Sequence, residues 1–176
     1  MKGKNFILGC VALGLACIPN TTKSPVEVPQ GQMGYSSGET IKSFGFMQCS
    51  AVILDNGNKA VMAHALPKDF MRIGEPVRSD NLMVYAKKML YENNIDIKST
   101  EAIVSAGSKK DLEIIVKDLK DSGIKIRKVQ LDEPRKTGYR NVIYNPTTDK
   151  LDISYFQEGC YSACFPDTFS KSKKSR

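Results

Sequence analysis

The stretch 46-FMQCSAVILDNGNKAVMAHALP-67 decides how this chain is read. Ser50 to Leu54 and Lys59 to His64 are rich in Val, Ile, Met and Ala, and Asp55-Asn56-Gly57-Asn58 separates them. Two apolar runs around Asn-Gly are the strongest short signal for a β-hairpin. With Asn56-Gly57 as a two-residue loop, Asp55 faces Asn58, Leu54 faces Lys59, and Cys49 faces His64. Directly opposed residues on one face carry Cβ atoms roughly 4.5–5.5 Å apart. The pattern therefore predicts a sulfur beside the only imidazole of the chain. A free thiol, with a pKa of about 8.5, is mostly protonated near neutrality. An imidazole that takes its proton supplies the thiolate nucleophile and can later protonate a leaving amine. Without that partner, a cysteine on an apolar strand is an inert core residue.

Elements on either side of the hairpin follow from periodicity. Asp80 is placed to cap a helix running to about Asn93, with Leu82, Met83, Ala86, Met89 and Leu90 on one face. Ala102 to Ala106 reads as a short strand ending at Gly107. Ser108 with Asp111 forms a capping-box pattern for a second helix, which buries Leu112, Ile115, Val116 and Leu119 and stops at Gly123. Ile124 to Leu131 is a further strand whose apolar phase slips between Ile126 and Val129, which predicts a bulge or bend. Asn141 to Tyr144 and Leu151 to Tyr155 flank Asn-Pro-Thr-Thr-Asp as a second hairpin, one strand of which alternates apolar and polar. Two helices among several strands, with hairpins at both ends, predict an α+β fold. It is a mixed, mainly antiparallel sheet or sandwich with the two helices packed on it.

The 176 residues suit one domain, 41% of them apolar. The formal charge of +7 is concentrated at the ends: Lys171, Lys173, Lys174 and Arg176 in the tail, Lys2 and Lys4 at the start. The body is nearly neutral, so the charge is no footprint for nucleic acid. Lys2 and Lys4 precede an apolar run from Phe6 to Ala16 that is too short to span a bilayer and matches the core of an export signal. Leu15-Ala16-Cys17 resembles the lipobox of bacterial lipoproteins, with Gly14 where a larger aliphatic residue is usual. Residues 1–17 are thus expected to be a lipoprotein-type signal that anchors the exported chain to a membrane through lipidated Cys17. A cytoplasmic chain with a hydrophobic N-terminal strand is the alternative. Residues 18–36 read as a flexible linker, 37–157 as the folded domain and 158–176 as a basic C-terminal extension. Five cysteines are present; with Cys10 discarded and Cys17 modified, Cys160 and Cys164 could pair and leave Cys49 free. No set of Cys and His has the spacing of a zinc site.

The order of these segments resembles the chemoreceptor glutamine deamidases of bacterial and archaeal chemotaxis (CheD-like). In that family a cysteine opens an apolar strand, and a turn and a Gly-Met-Ala-His segment ending in Leu-Pro follow. Here Val61-Met62-Ala63-His64-Ala65-Leu66-Pro67 stands in that place. DNLMVYAKKMLYENNID, AIVSAGS, SKKDLEIIVKDLKDSGIKI and EPRKTGYRNVIYNPTTDKLDIS match, in order, its first helix, glycine-ended strand, second helix with strand, and closing loop with hairpin. The likeness covers about Glu39 to Tyr155. Met47-Gln48 replaces the family's Gly-Ser, and its late glycine pair is absent, with Glu133-Pro134 nearby. Bacterial toxins that deamidate host proteins are similar in fold and share the Cys–His pair.

The resemblance implies hydrolysis of a protein glutamine side chain to glutamate and ammonia through a cysteine thioester. Its catalytic residues would be Cys49 as nucleophile, His64 as base and acid, and Ser43 orienting the imidazole in place of the family's threonine. Thr40 is the other candidate for that third position. No metal or organic cofactor is required, and the partner is a protein with an exposed glutamine. A catalytically degenerate, membrane-anchored protein-binding module of the same fold is the alternative.

Overall fold

The computed structural model describes residues 24–71, 74–132 and 138–156. The export-type signal, Cys10, Cys17, Glu133-Pro134, the C-terminal extension, Cys160 and Cys164 lie outside the described residues. In chain order the described elements are β1 (Val26–Glu27), β2 (Met33–Ser37), β3 (Ile41–Phe46), β4 (Ser50–Asn56), β5 (Lys59–Ala65), α1 (Leu82–Glu92), β6 (Glu101–Ala106), α2 (Lys109–Asp121), β7 (Lys125–Leu131), β8 (Tyr139–Asn145) and β9 (Lys150–Phe156). They form two mixed, mostly antiparallel sheets, ordered β1-β3-β8-β9 and β2-β5-β4-β6-β7, so the α+β expectation holds.

Three layers follow from strand alternation. Val52 and Leu54 of β4, Val61, Ala63 and Ala65 of β5, and Ala102 and Val104 of β6 pack with Leu82, Ala86, Leu90, Ile115 and Leu119 of the helices. Ala51, Ile53, Ala60, Met62 and Ile103, on the other face, pack with Ile41, Phe46, Val142 and Tyr144 of the smaller sheet. The five-stranded sheet is therefore covered on both faces, which is why β4 and β5 read as continuous apolar runs.

Local signals set most boundaries. The Ser108 hydroxyl accepts the Asp111 N–H at the start of α2, and Gly123, at φ 75°, follows its end. Arg127 is the extra residue between the pairs Ala102–Ile126 and Ile103–Lys128, which is the bulge the phase slip predicts. At α1 the cap differs from the expectation. Asn81, not Asp80, precedes the helix, and its side chain turns back to accept the Arg78 N–H and donate to the Pro76 carbonyl.

Two expectations are corrected. The first is the register of the first hairpin. Asn56 pairs with Lys59, Ala51 with His64 and Ser50 with Ala65, so the loop is Gly57-Asn58 and Cys49 is not directly opposite His64. Gly57 takes φ 68° while Asn58 keeps a negative φ, the pattern of a turn that wants glycine first rather than second. The shift is two residues, so no side chain changes face. The second is the linker, whose described part, from residue 24 to residue 36, is folded. Val26 and Glu27 pair in parallel with Ile41 and Lys42, Val28 is buried, and β2 forms the edge of the larger sheet. Gly34 makes this possible, because a Cβ there would lie 2.7 Å from the Val28 side chain. Polar and proline residues concealed a strand pairing that only distant partners supply.

Gly57→Ala should lower unfolding stability by about 1 kcal/mol, because the left-handed turn position strains any Cβ. A urea melt with an unchanged midpoint would show that the turn does not need glycine.

Candidate active site

Ser43, Cys49 and His64 all lie between the two sheets. The reason is parity: residues 49, 51 and 53 share one face of the first strand of the hairpin, and 60, 62 and 64 share that face of the second. Cys49 lies one residue before β4; continuing the ladder to it places it diagonal to His64 rather than opposite it, and diagonal residues on one face lie roughly 7–8 Å apart. Ser43 arrives from the facing sheet. In β3 the pairs Ser43–Val142 and Phe46–Arg140 enclose one extra residue, and Gly45 takes φ 75° there. This bulge lets both Ser43 and Phe46 point inward, where strict alternation would admit only one.

A directed chain of hydrogen bonds orients the imidazole. The Ser43 hydroxyl donates to the Val28 carbonyl at 2.6 Å, so its oxygen is left to accept from His64 Nδ1 at 2.9 Å. The proton of the neutral ring therefore sits on Nδ1, and Nε2 carries the free lone pair. Nε2 is buried and meets no hydrogen-bond partner among the described residues. The ring stacks on Phe46, centroid to centroid at 3.8 Å and 16° between planes. Thr40, the other candidate for the third position, accepts instead from Asn145 Nδ2 at 3.3 Å.

Cys49 is 5% exposed. Gln30 Nε2 donates to its sulfur at 3.6 Å, and its carbonyl accepts from Arg140 Nη2 at 2.6 Å. Just before it, Met47-Gln48 lies against Gly107, where a Cβ would come within 2.5 Å of the Met47 carbonyl oxygen. The glycine that ends β6 thus permits the backbone approach that seats the cysteine. Burial pushes the thiol up; the Gln30 amide, the Arg140 charge and the N–H groups of Cys49 and Met47 oppose that rise without reversing it. Burial, and then Arg140, lower His64 from its ordinary 6.5 to about 3. Both groups are neutral at rest, and no thiolate–imidazolium pair is present.

Sequence reasoning missed Arg140, Asp132, Ser105 and Gln30. Arg140 is fully buried and donates from Nη1 to Asp132 Oδ2 at 3.0 Å and to Ser105 Oγ at 2.7 Å. Ser105 in turn donates to Asp132 at 2.8 Å. One signal was available: Arg140 shares the inward phase of Val142 and Tyr144, and a charge on a core phase requires a partner. Gln30 carried no signal, since it lies in the segment read as linker.

His64 also sets a pH dependence. Its folded pKa is depressed, so between 6.5 and about 3 the unfolded chain holds more protons at this site. The stability due to neutral His64 is complete above that window and is lost as pH falls through it, by at most about 1.4 kcal/mol per pH unit. Urea melts at about pH 7 and about pH 4.5 should show a smaller loss for His64→Gln than for the parent. Equal losses would mean that His64 is not held neutral.

No family model matches the chain and no curated protein matches it, so the site rests on its own geometry.

Proposed function

We propose that the chain is a protein-glutamine deamidase, with Cys49 as nucleophile, His64 as the proton carrier and Ser43 as the residue that orients it. One observation carries this reading: the Ser43–His64 bond leaves an unpartnered Nε2 in the layer that also holds Cys49. A buried imidazole with one nitrogen fixed and the other idle is arranged like a base awaiting a proton. The residues resembling the chemoreceptor glutamine deamidases support it in the same order along the chain.

The chemistry runs in two halves. Sγ attacks the carboxamide carbon of a substrate glutamine, and its proton passes to His64 Nε2. Imidazolium is disfavoured here by burial and by Arg140, so it forms only together with the negative charge growing on sulfur and carbonyl oxygen. Proton transfer is therefore coupled to attack rather than preceding it. Collapse of the tetrahedral adduct breaks the C–N bond, and ammonia leaves with the proton from Nε2. Water then attacks the thioester and gives a proton to Nε2; collapse breaks the C–S bond, the proton returns from Nε2 to sulfur, and glutamate is released with the thiol and neutral imidazole restored. The substrate is a protein with an exposed glutamine. An export signal ending at lipidated Cys17 would hold the enzyme at a membrane surface.

A second reading, a protein-binding module without activity, is favoured by the neutral, buried state of Cys49 and by its lack of a bond to His64 among the described residues. Acylation of Cys49 by p-nitrophenyl acetate against pH separates the two. A site that passes its thiol proton to His64 as a carbonyl is attacked acylates well below about pH 8.5, whereas an inert core thiol does not.

Ammonia release from glutamine-rich protein substrates should be abolished by Cys49→Ala and by His64→Ala. Ser43→Ala should slow turnover by about 10- to 100-fold, since it loosens the base without removing it. Release that survives Cys49→Ala would exclude the thioester route.

A further inference from the structure

The segment from Val28 to Gln32 touches each member of the proposed site. The Val28 carbonyl accepts from Ser43, the Gly31 N–H donates to the His64 carbonyl at 2.9 Å, and the His64 N–H donates to the Gln32 carbonyl at 3.0 Å. Between these anchors Pro29 to Gln32 forms a tight turn, closed by the Gln32 N–H on the Pro29 carbonyl at 3.1 Å, with Gly31 at φ 73° in its third position. Val77 N–H donates to the Gly31 carbonyl at 2.9 Å and braces the turn from the far side. The turn leaves Gln30 at the solvent edge with its amide nitrogen directed at Cys49 Sγ, 3.6 Å away.

We propose that Gln30 is a further catalytic residue, whose side-chain amide N–H holds the oxyanion when Cys49 attacks a carbonyl group. The proposal rests on the reading of Cys49 as a nucleophile. When Sγ bonds to a carbonyl carbon, the π pair moves to the oxygen, which then sits two bonds from sulfur. A donor already in contact with the sulfur is within reach of that oxygen, and the Cys49 backbone N–H is a second donor beside it. The turn is fixed to the backbone of His64 on both sides, so the donor's backbone is in place before charge develops and only the side-chain amide turns from sulfur to oxygen, a small reorganisation that favours electrostatic stabilisation. Gln30 directs its N–H rather than its carbonyl at the sulfur, so it is oriented as a donor to the reaction and not as a captive substrate.

The test compares two reactions at Cys49 of the full chain, read by acid quench and mass spectrometry of the Cys49 peptide. Acylation by p-nitrophenyl acetate forms the C–S bond through an oxyanion and expels p-nitrophenolate; the thiol proton goes to His64. Alkylation by iodoacetamide displaces iodide and forms no oxyanion. In Gln30→Met, which keeps the length but has no N–H, acylation should fall by about tenfold or more, while alkylation at matched thiolate fraction stays within about twofold. Gln30→Ala should behave alike and guards against a packing effect of Met. An equal change in both reactions, unchanged acylation or faster acylation would overturn the proposal, the last because it would make Gln30 a latch. A parent that acylates in a Gln30-dependent way yet releases no ammonia from protein glutamine would sink the deamidase reading and leave this role standing.

Discussion

Strand alternation in the β4–β5 hairpin is the constraint on which the site rests. From Ser50 to Asp55 and from Ala60 to Ala65 both strands are buried on both faces, so those side chains are committed either to the helices or to the facing sheet. A slip of one residue would send the cysteine of one strand, or the histidine of the other, into the helical layer. The turn at Gly57-Asn58 prevents it, because it fixes Asn56 against Lys59. Cys49 and His64 therefore share the inter-sheet layer, diagonally rather than face to face.

That layer is polar where apolar contact would be cheaper. Arg140, Asp132, Ser105 and the Cys49 carbonyl form a buried set in which each charge has a partner. Burying an ion pair gains little stability over apolar packing, whereas breaking one leaves an uncompensated charge. The set therefore specifies more than it stabilises. Arg140, from β8, grips the Cys49 carbonyl, so the smaller sheet determines where the cysteine backbone sits on the larger one. Its charge also acts on both titratable groups: it opposes the rise at the thiol and deepens the fall at the imidazole.

The resting site is electrically quiet as a result. Desolvation keeps sulfur protonated and imidazole neutral, and the Ser43 bond fixes which ring nitrogen is free. In the proposed deamidation such a pair would gain reactivity only as an incoming carbonyl group takes up the negative charge, which would link attack to the presence of substrate. Of the residues around Cys49, Gln30, Met47 and Gln48 are exposed.

Much of this was legible in the chain itself. The two-sided apolar runs, the Ser108 cap, Gly123, the slip at Arg127 and the second hairpin are local signals, governed by period, turn chemistry and capping within a few residues. The common face of Cys49 and His64 was legible too, because parity survives a two-residue error in register. Tertiary structure alone decided three things. It selected Gly57-Asn58 over Asn56-Gly57, since both turns suit the tetrapeptide and the partners of β4 and β5 arbitrate. It made the residues after Ser24 a structured edge, since their hydrogen bonds go to β3 and β5. It brought Gln30 to the Cys49 sulfur, Ser43 to the His64 imidazole and Arg140 to the Cys49 carbonyl, since contacts across 19, 21 and 91 residues leave no periodic trace in a sequence.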